Sequence, residues 1–484
     1  MFSLIFVLLA MLSTSSGNEF AGDLETDAFT ADLYNDVFET RLDHFSPQNF
    51  NNVSFTYYGN ANHYEPGGPL YIYIKDARDD TTRWIENGLM VDIAAETNAA
   101  LFTFNHRYLG ENRPTQNASF ENMEYLTVEQ SLADIATFIR FIRTELSVGY
   151  STKVILWGSG YGASVAVWAR KKYPHMIDAV WSSSGVFDIN LYSFSQYDLL
   201  EYIITSAGSL ECHNLLRQAL YAIDDLIRSG DGEYLQEMLN LCHPVDTTSL
   251  FDIAALYEHY ILFITDYINR HHTAGILDFC RAMEVIPGDP FKSFVQWIDY
   301  IYGTPECFDP SFNGMVERAS DVEWDREGTI SGRRQWYYSQ CTQIGSFLIA
   351  DEFSWLPGRI PVFYHMEKCQ RALGATSFWD IIRILNPRFV SYNADQLIYA
   401  NEALIREFGS LNQRVTNVIY TNGAIDPWLY TGITAPQEPR TIAIVIEAYA
   451  KSADLTSIDP SSDTVQLIQA KEQIKQTIME WSFD

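Results

Sequence analysis

Short apolar runs separated by helical periodicity organise this chain. Residues 69–74, 100–104 and 153–157 are near-continuous apolar runs rich in β-branched and aromatic side chains, the pattern of strands covered on both faces. Between the second and third, Val128, Leu132, Ile135, Phe138, Ile139 and Ile142 recur at spacings of three and four, which predicts a helix over 127–145 with one buried face. Thr127-x-x-Gln130 opens it in the pattern of a capping box. Strand–helix–strand alternation predicts βαβ units on a parallel sheet. From 191 to about 373 the strand runs fade and the text becomes helical and aromatic; strand runs return at 417–421 and 441–446, and a helix over 464–481 closes the chain. Because both flanks are α/β, the middle is expected to be an inserted helical cap, with 18–187 and 376–484 forming the two parts of one doubly wound domain and 188–375 the cap. Internal repeats and low-complexity linkers are not seen.

Composition narrows the partners. A chain of 484 residues, 47% hydrophobic and 14% aromatic, has ample material for a core. Acidic residues outnumber basic ones 62 to 32, for a net charge of −30, and the longest basic run is Arg170-Lys171-Lys172. Nucleic acid and anionic membranes are therefore excluded as expected partners.

Residues 1–12 are almost wholly apolar and lead into small residues up to Gly17, which predicts a cleaved signal peptide over 1–17. The run is too short to span a bilayer, which takes about 20 apolar residues, and no other stretch approaches that length. The mature chain is expected outside the cell, with the lysosome as the alternative. Export gives meaning to the sequons at Asn52 and Asn117 and to six cysteines, Cys212, Cys242, Cys280, Cys307, Cys341 and Cys369, expected to form disulfides in one of 15 pairings. No C-x-x-C pair occurs, so neither zinc nor another cofactor is called for. The chain is compatible with a monomer or a dimer.

Candidate chemistry centres on "KVILWGSGYGASVAVWARKKYPHMIDAVWSSS" (153–184), which reads strand, tight glycine turn, helix, strand. Hydrolases mount a nucleophilic serine at the apex of such a turn, with glycines two places to either side. Here Gly158 and Gly162 flank Gly160, so the apex offers no oxygen. Ser159, one place early, has Trp157 and Tyr161 in the flanking positions, where bulky side chains collide; it reads as a turn serine bonded to backbone, and Ser164 as helix packing. The general base of this fold follows the last strands. The last histidine is His365, leaving the final 119 residues without an imidazole.

These stretches resemble the prolylcarboxypeptidase and dipeptidyl peptidase II family of secreted and lysosomal serine exopeptidases. The resemblance runs through "RLDHFSPQNF" (41–50), "FNHRYLGENRP" (104–114), "EYLTVEQSLADIATFI" (124–139), "GSGYGASVAVWARKKYPH" (158–175), "WYYSQC" (336–341), "TNGAIDPW" (421–428) and "ADLTSIDP" (453–460). It implies an α/β-hydrolase fold with an inserted helical cap. Carried over by position, the family serine falls on Gly160, its aspartate on Asp426, and its histidine on Lys451, with Ser452 adjacent. Where the family has a Gly-Gly-Glu-Gly loop beside the oxyanion, this chain has "IKDARDD" (74–80), placing Lys75, Asp76, Ala77 and Arg78 there.

Three parts of the machinery thus depart together, and only Asp426 is retained. Loss of a triad serine or histidine alone costs on the order of 10⁶ in turnover. The expectation is a catalytically inactive serine-peptidase homologue that binds a peptide or protein, with Asp426 a buried acid hydrogen-bonded at a turn before Pro427. The alternatives are a peptidase acting near proline through a non-family nucleophile such as Ser159, and a storage protein without a functional cleft.

Overall fold

The computed structural model describes residues 33–76, 82–193, 195–303, 307–351, 353–358, 360–373 and 402–484. The signal-peptide segment and Ala77 and Arg78 of the altered loop lie outside the described residues.

Eight strands form the main sheet: β1 (Tyr34–Arg41), β2 (Asn52–Asn60), β3 (Leu70–Ile74), β4 (Ala100–Phe104), β5 (Val154–Ser159), β6 (Ala179–Ser183), β9 (Val418–Gly423) and β10 (Thr441–Ile446). The two-residue β7 (Tyr192–Ser193) and β8 (Phe347–Leu348) pair separately. The main order is β1-β2-β4-β3-β5-β6-β9-β10. From β4 through β10 every pairing is parallel, while β2 runs antiparallel to both β1 and β4. This is the mostly parallel, doubly wound α/β-hydrolase sheet the motifs imply. Strands β3, β4, β5 and β6 are buried at every residue, the reason their sequences read as unbroken apolar runs.

The pleat divides those runs between two cores. Leu70, Ile72 and Ile74 face the helices Val128–Glu145 and Gly160–Lys172 together with Leu132, Phe138, Val165 and Trp168. Tyr71 and Tyr73 face the other side, where Ile93 of helix Leu89–Thr97 and Ile474 and Ile478 of the closing helix Val465–Phe483 cover Trp157 and Trp181. Thr127 caps its helix as expected, its hydroxyl accepting from Gln130 N–H at 3.2 Å. The Gln130 side chain goes elsewhere, accepting from His44 N–H at 2.9 Å and donating to Asp43 at 2.7 Å. Only half of the box forms, and its second half ties the chain after β1 to this helix.

The same tie is completed by a buried ion pair. Arg107 donates twice to Asp134, Nε to Oδ2 at 2.7 Å and Nη2 to Oδ1 at 2.8 Å, and its remaining protons reach the carbonyls of Leu42, Tyr125 and Arg41. Asp134 also meets Thr40 Oγ1 and His44 Nε2, each at 2.8 Å. Burial works against the Asp134 charge, but Arg107 and His44 more than offset it and hold the carboxyl below its ordinary range.

Between β6 and β9 the described residues are predominantly helical, from Ser195–Ile203 to Val362–Leu373, around their own large apolar core. Disulfides join Cys212 to Cys280, Cys242 to Cys307 and Cys341 to Cys369. The β7–β8 pairing brings together the start and the later part of this helical region. Inside it, Lys368 Nζ lies 2.9 Å from both oxygens of Glu258, Tyr364 donates to the same carboxylate at 2.6 Å, and His365 Nε2 contacts the Leu348 carbonyl at 2.7 Å.

Two consequences can be measured. Arg107→Leu leaves Asp134 buried without its guanidinium, and a loss of about 3–5 kcal/mol in urea unfolding is expected; wild-type stability would contradict the role given to the pair. Burial and Lys368 lower His365 from 6.5 to about 4. The unfolded chain therefore takes up a proton that the folded chain refuses until about pH 4. The His365 contribution is intact above about pH 6.5 and lost as pH falls toward 4, so the urea midpoint of His365→Gln should fall less over that interval than that of the wild type.

Candidate active site

The turn after β5 is shaped by contacts that exclude side chains. Ser159 is still extended, with φ −121° and ψ 145°, and Gly160 turns the chain into its helix with φ +54°. A Cβ on Gly162 would lie 2.3 Å from the Ile74 carbonyl and 2.4 Å from that of Lys75, and one on Gly158 would lie 2.7 Å from the Gly162 backbone. Glycine is required at 162 because the helix start rests directly on the end of β3, and at 158 because the end of β5 lies against the first turn of the same helix.

That contact puts the residue after Lys75 over the first turn of the helix. Asp76 Oδ1 accepts from Tyr161 N–H at 3.0 Å, and Oδ2 accepts from Lys451 Nζ at 2.6 Å. The side chains are 25% and 33% exposed, so the pair stands at the protein's edge rather than in its core. A Cβ on Gly160 would lie 2.6 Å from Asp76 Oδ2 and 2.9 Å from Lys451 Nζ. The three positions therefore share one small volume.

Lys451 is held by the loop between β10 and the closing helix. Ala450 N–H donates to His272 Nδ1 at 3.2 Å, and Thr273 Oγ1 donates to the Ala448 carbonyl at 2.6 Å. His272 has φ +52° and ψ −143°, interrupting the long helix Leu250–Met283. Burial lowers its proton affinity, in keeping with its accepting role. On the other side Ser452 N–H donates to Ser184 Oγ at 3.1 Å, and Asp454 accepts from Ser183 Oγ at 2.6 Å and Trp181 Nε1 at 3.1 Å.

Asp426 follows β9 and is 2% exposed. Burial raises its proton affinity, and Trp428 N–H at 3.0 Å, Lys451 and Ser184 draw it only partly back. Ser159 Oγ shares a hydrogen bond with Ser452 Oγ at 2.6 Å, rather than the backbone bond expected of a turn serine. Its hydroxyl partner is thus another neutral hydroxyl, not an imidazole, amine or carboxylate. Ser164 donates to the Val186 carbonyl at 2.5 Å, a packing role as expected.

Gly160, Asp426 and Lys451 are brought to one end of the sheet from three distant stretches. The sequence reading noted Asp76 only as a lost glycine, and missed His272, Ser184 and Asp454. Asp454 lies inside the quoted "ADLTSIDP", whereas His272 carries no local signal and is recognisable only through its contact with Ala450.

A strand–turn–helix at the carboxyl edge of a parallel sheet, with an acid after the penultimate strand, defines an α/β-hydrolase scaffold of the serine-peptidase type. The chain belongs to the serine carboxypeptidase S28 family, which it matches over residues 40–474. It is similar to the lysosomal Pro-X carboxypeptidase of Bos taurus, 26% identical with 84% of this chain and 80% of that protein covered. It is also similar to the prolyl carboxy peptidase like protein 5 of Caenorhabditis elegans, 24% identical over 91% and 88%. The thymus-specific serine protease of Mus musculus is 25% identical over 81% and 76%. Among solved structures, a proline iminopeptidase of Mycobacterium smegmatis aligns over 88% of this chain and 94% of its own, with 10% identity and a TM-score of 0.34.

Gly160→Ala should lower stability by about 1–3 kcal/mol, from a left-handed alanine and displacement of the ion pair. In an Asp76→Ala background the same substitution should cost less, because one of its two steric partners is gone. Additive losses in urea unfolding would show that Gly160 and Asp76 do not compete for space.

Proposed function

We propose that this chain is a catalytically silent member of the S28 family, keeping the hydrolase scaffold as a binding surface for a peptide or protein. One spatial conflict carries the proposal. The Asp76–Lys451 pair fills the volume into which a side chain at position 160 would project, so an apex nucleophile would have to displace the ion pair. In α/β-hydrolases the N–H after the nucleophile helps to hold the oxyanion. The corresponding donor here is Tyr161 N–H, and the Asp76 carboxylate already occupies it. A fixed negative charge at that place opposes the charge of an acyl-transfer transition state.

Ser159 is a poor substitute in this arrangement. It is 6% exposed, and Ser452 Oγ at 2.6 Å is not a group that can take its proton in catalysis. Asp426 is then a structural acid, buried and bonded to the Trp428 amide before the short helical turn Leu429–Thr431.

On this reading the helical region between β6 and β9 is a cap over the sheet edge, and residues 1–17 are an export signal. The names of lysosomal relatives favour a lysosomal or secreted destination. No helix among the described residues is long and apolar enough to cross a membrane. Asn52 is exposed at the start of β2, its amide nitrogen donating to Glu39 at 3.4 Å, and the Asn117 oxygen accepts from Ser119 N–H and the Asn122 amide, which leaves both sequons as candidate glycan sites.

The test is a fluorophosphonate probe together with proline-containing carboxypeptidase and dipeptidyl substrates. The wild type should neither label nor turn over, and Gly160→Ser with Lys451→His should stay silent while Asp76 remains. Adding Asp76→Gly should permit labelling at position 160. Ser159-dependent labelling or turnover in the wild type would refute catalytic silence.

A further inference from the structure

The loop between β1 and β2 shows an aromatic ring to solvent on a backbone that is held in place. Phe50 is 81% exposed. Around it, Leu42 N–H donates to the Asn51 carbonyl at 2.9 Å, Asn51 N–H to Asn49 Oδ1 at 3.1 Å, and Asn49 N–H to the Ser46 carbonyl at 3.2 Å. Earlier in the loop, Gln130 takes the His44 amide and Asp134 meets the His44 ring. A single exposed phenylalanine calls for no explanation by itself. This one stands two residues before Asn52, the acceptor of the sequon Asn52-Val53-Ser54. We propose that Asn52 carries an N-linked glycan whose first N-acetylglucosamine rests its apolar face on the Phe50 ring, so that the sugar becomes part of the fold at this edge of the sheet. The proposal rests on the reading of the chain as exported, and goes beyond occupancy of the sequon to a seat for the sugar.

Backbone geometry brings the ring and the amide together. The β1–β2 ladder pairs Arg41 with Asn52, and the bond from Leu42 to Asn51 continues it by one step. Side chains two apart on an extended chain share a face, so Phe50 and Asn52 project to the same side. Asn52 and Ser54 are both exposed, which leaves the whole acceptor pair open to solvent. Asn52 also borders a hollow of about 320 Å³ whose walls include Arg41, His44, Thr137 and Arg140. That volume falls at the lower end of the range of small-ligand sites. Its walls offer hydrogen bonds to sugar hydroxyls, while Phe50 offers a ring to sugar C–H groups. Asn117 provides the contrast: Thr115, not an aromatic residue, stands two places before it, and its side-chain oxygen is already engaged.

The covalent step is a glycosyl transfer made during export. The Asn52 amide nitrogen attacks the anomeric carbon of an oligosaccharide carried on a lipid diphosphate. The N–C bond forms, the C–O bond to phosphate breaks, the lipid diphosphate leaves, and the amide nitrogen gives up one proton. Its second N–H remains, so the contact of Asn52 Nδ2 with Glu39 Oε2 at 3.4 Å is compatible with the linkage. N-acetylglucosamine is polar at its rim and apolar across its axial C–H bonds, and that apolar face suits the electron-rich face of an aromatic ring. The backbone of the Phe50 loop is fixed beforehand, which lowers the entropy lost on contact. β1 is the outermost strand and pairs only with β2, so a sugar seated on the loop between them adds a contact where the sheet has fewest.

The full chain is expressed in cultured animal cells with its own residues 1–17 and, in parallel, with an established export signal in their place, and its glycopeptides are mapped by mass spectrometry. Asn52 should carry a glycan. On the native protein, peptide N-glycosidase should release that glycan about threefold to tenfold more slowly from the wild type than from Phe50→Ala, the range of one aromatic contact. Phe50→Trp should keep the protection, and after denaturation all three should release alike. Phe50 is exposed, so Phe50→Ala leaves the core untouched. Ser54→Ala, which removes the glycan, should lower the thermal midpoint by about 1–2 °C, and by less in a Phe50→Ala background. Equal native release from wild type and Phe50→Ala would overturn the seat, as would additive midpoint losses. Export with Asn52 bare would overturn the proposal and leave the export reading intact. A chain retained with its own residues 1–17, yet glycosylated and protected behind the substituted signal, would refute export and uphold the seat.

Discussion

The site depends on backbone lying against backbone. Gly162 rests on the carbonyls of Ile74 and Lys75 with no room for a Cβ, and this fixes the start of the elbow helix against the end of β3. Two strands that are neighbours in the sheet are thereby locked together beyond their last paired residues, Ile74 and Gly158. Whatever side chain follows Lys75 must then lie over the helix's first free amide. In a chain with glycine there, that amide is open to a substrate oxygen; with Asp76 there, it is closed by a carboxylate. The fold is indifferent to the choice, because the contact that positions the amide involves main chain alone.

The same constraint links changes that are far apart in sequence. Asp76 and Lys451 are 375 residues apart, yet meet at 2.6 Å over Gly160. A carboxylate without a cation would be poorly placed at this partly desolvated edge, and Lys451 supplies that cation. Either one crowds any apex side chain. The three residues are best understood as a single arrangement in which each makes the other two tolerable, rather than as three independent losses.

How much of this was legible follows from how local each signal is. Strands β3, β4 and β5 and their helices could be recognised because complete burial writes an unbroken apolar run, and β10 was predicted to the residue. The antiparallel β1 and β2 were missed: β1 is mostly exposed, with only Phe38 and Thr40 buried, so its sequence lacks that signature. The cysteines predicted disulfides but not their partners, since pairing depends on the packing of helices 28 to 68 residues apart. Gly160, Lys451 and Asp426 were found through motif position. The function of Asp76 was not, because an aspartate in a glycine's place looks like a deletion until the two groups it bridges are known. Half of the Thr127 capping box failed for a similar reason: Gln130 had better partners in Asp43 and His44, which no local pattern reveals.

Lys451 in a histidine's place invites the idea that an amine has replaced an imidazole as general base. Such a base must give up its proton near neutral pH, which requires burial in apolar surroundings or a neighbouring positive charge. The surroundings of Lys451 are of the opposite kind. A carboxylate at 2.6 Å and partial contact with water both favour the ammonium, and the nearby Asp426 adds negative charge behind it. The hydroxyl nearest the apex, that of Ser159, is committed to Ser452. An ammonium paired with a carboxylate at 2.6 Å is badly suited to accepting a proton. On the proposed reading, the electrostatics of the loop therefore count against Lys451 as a general base.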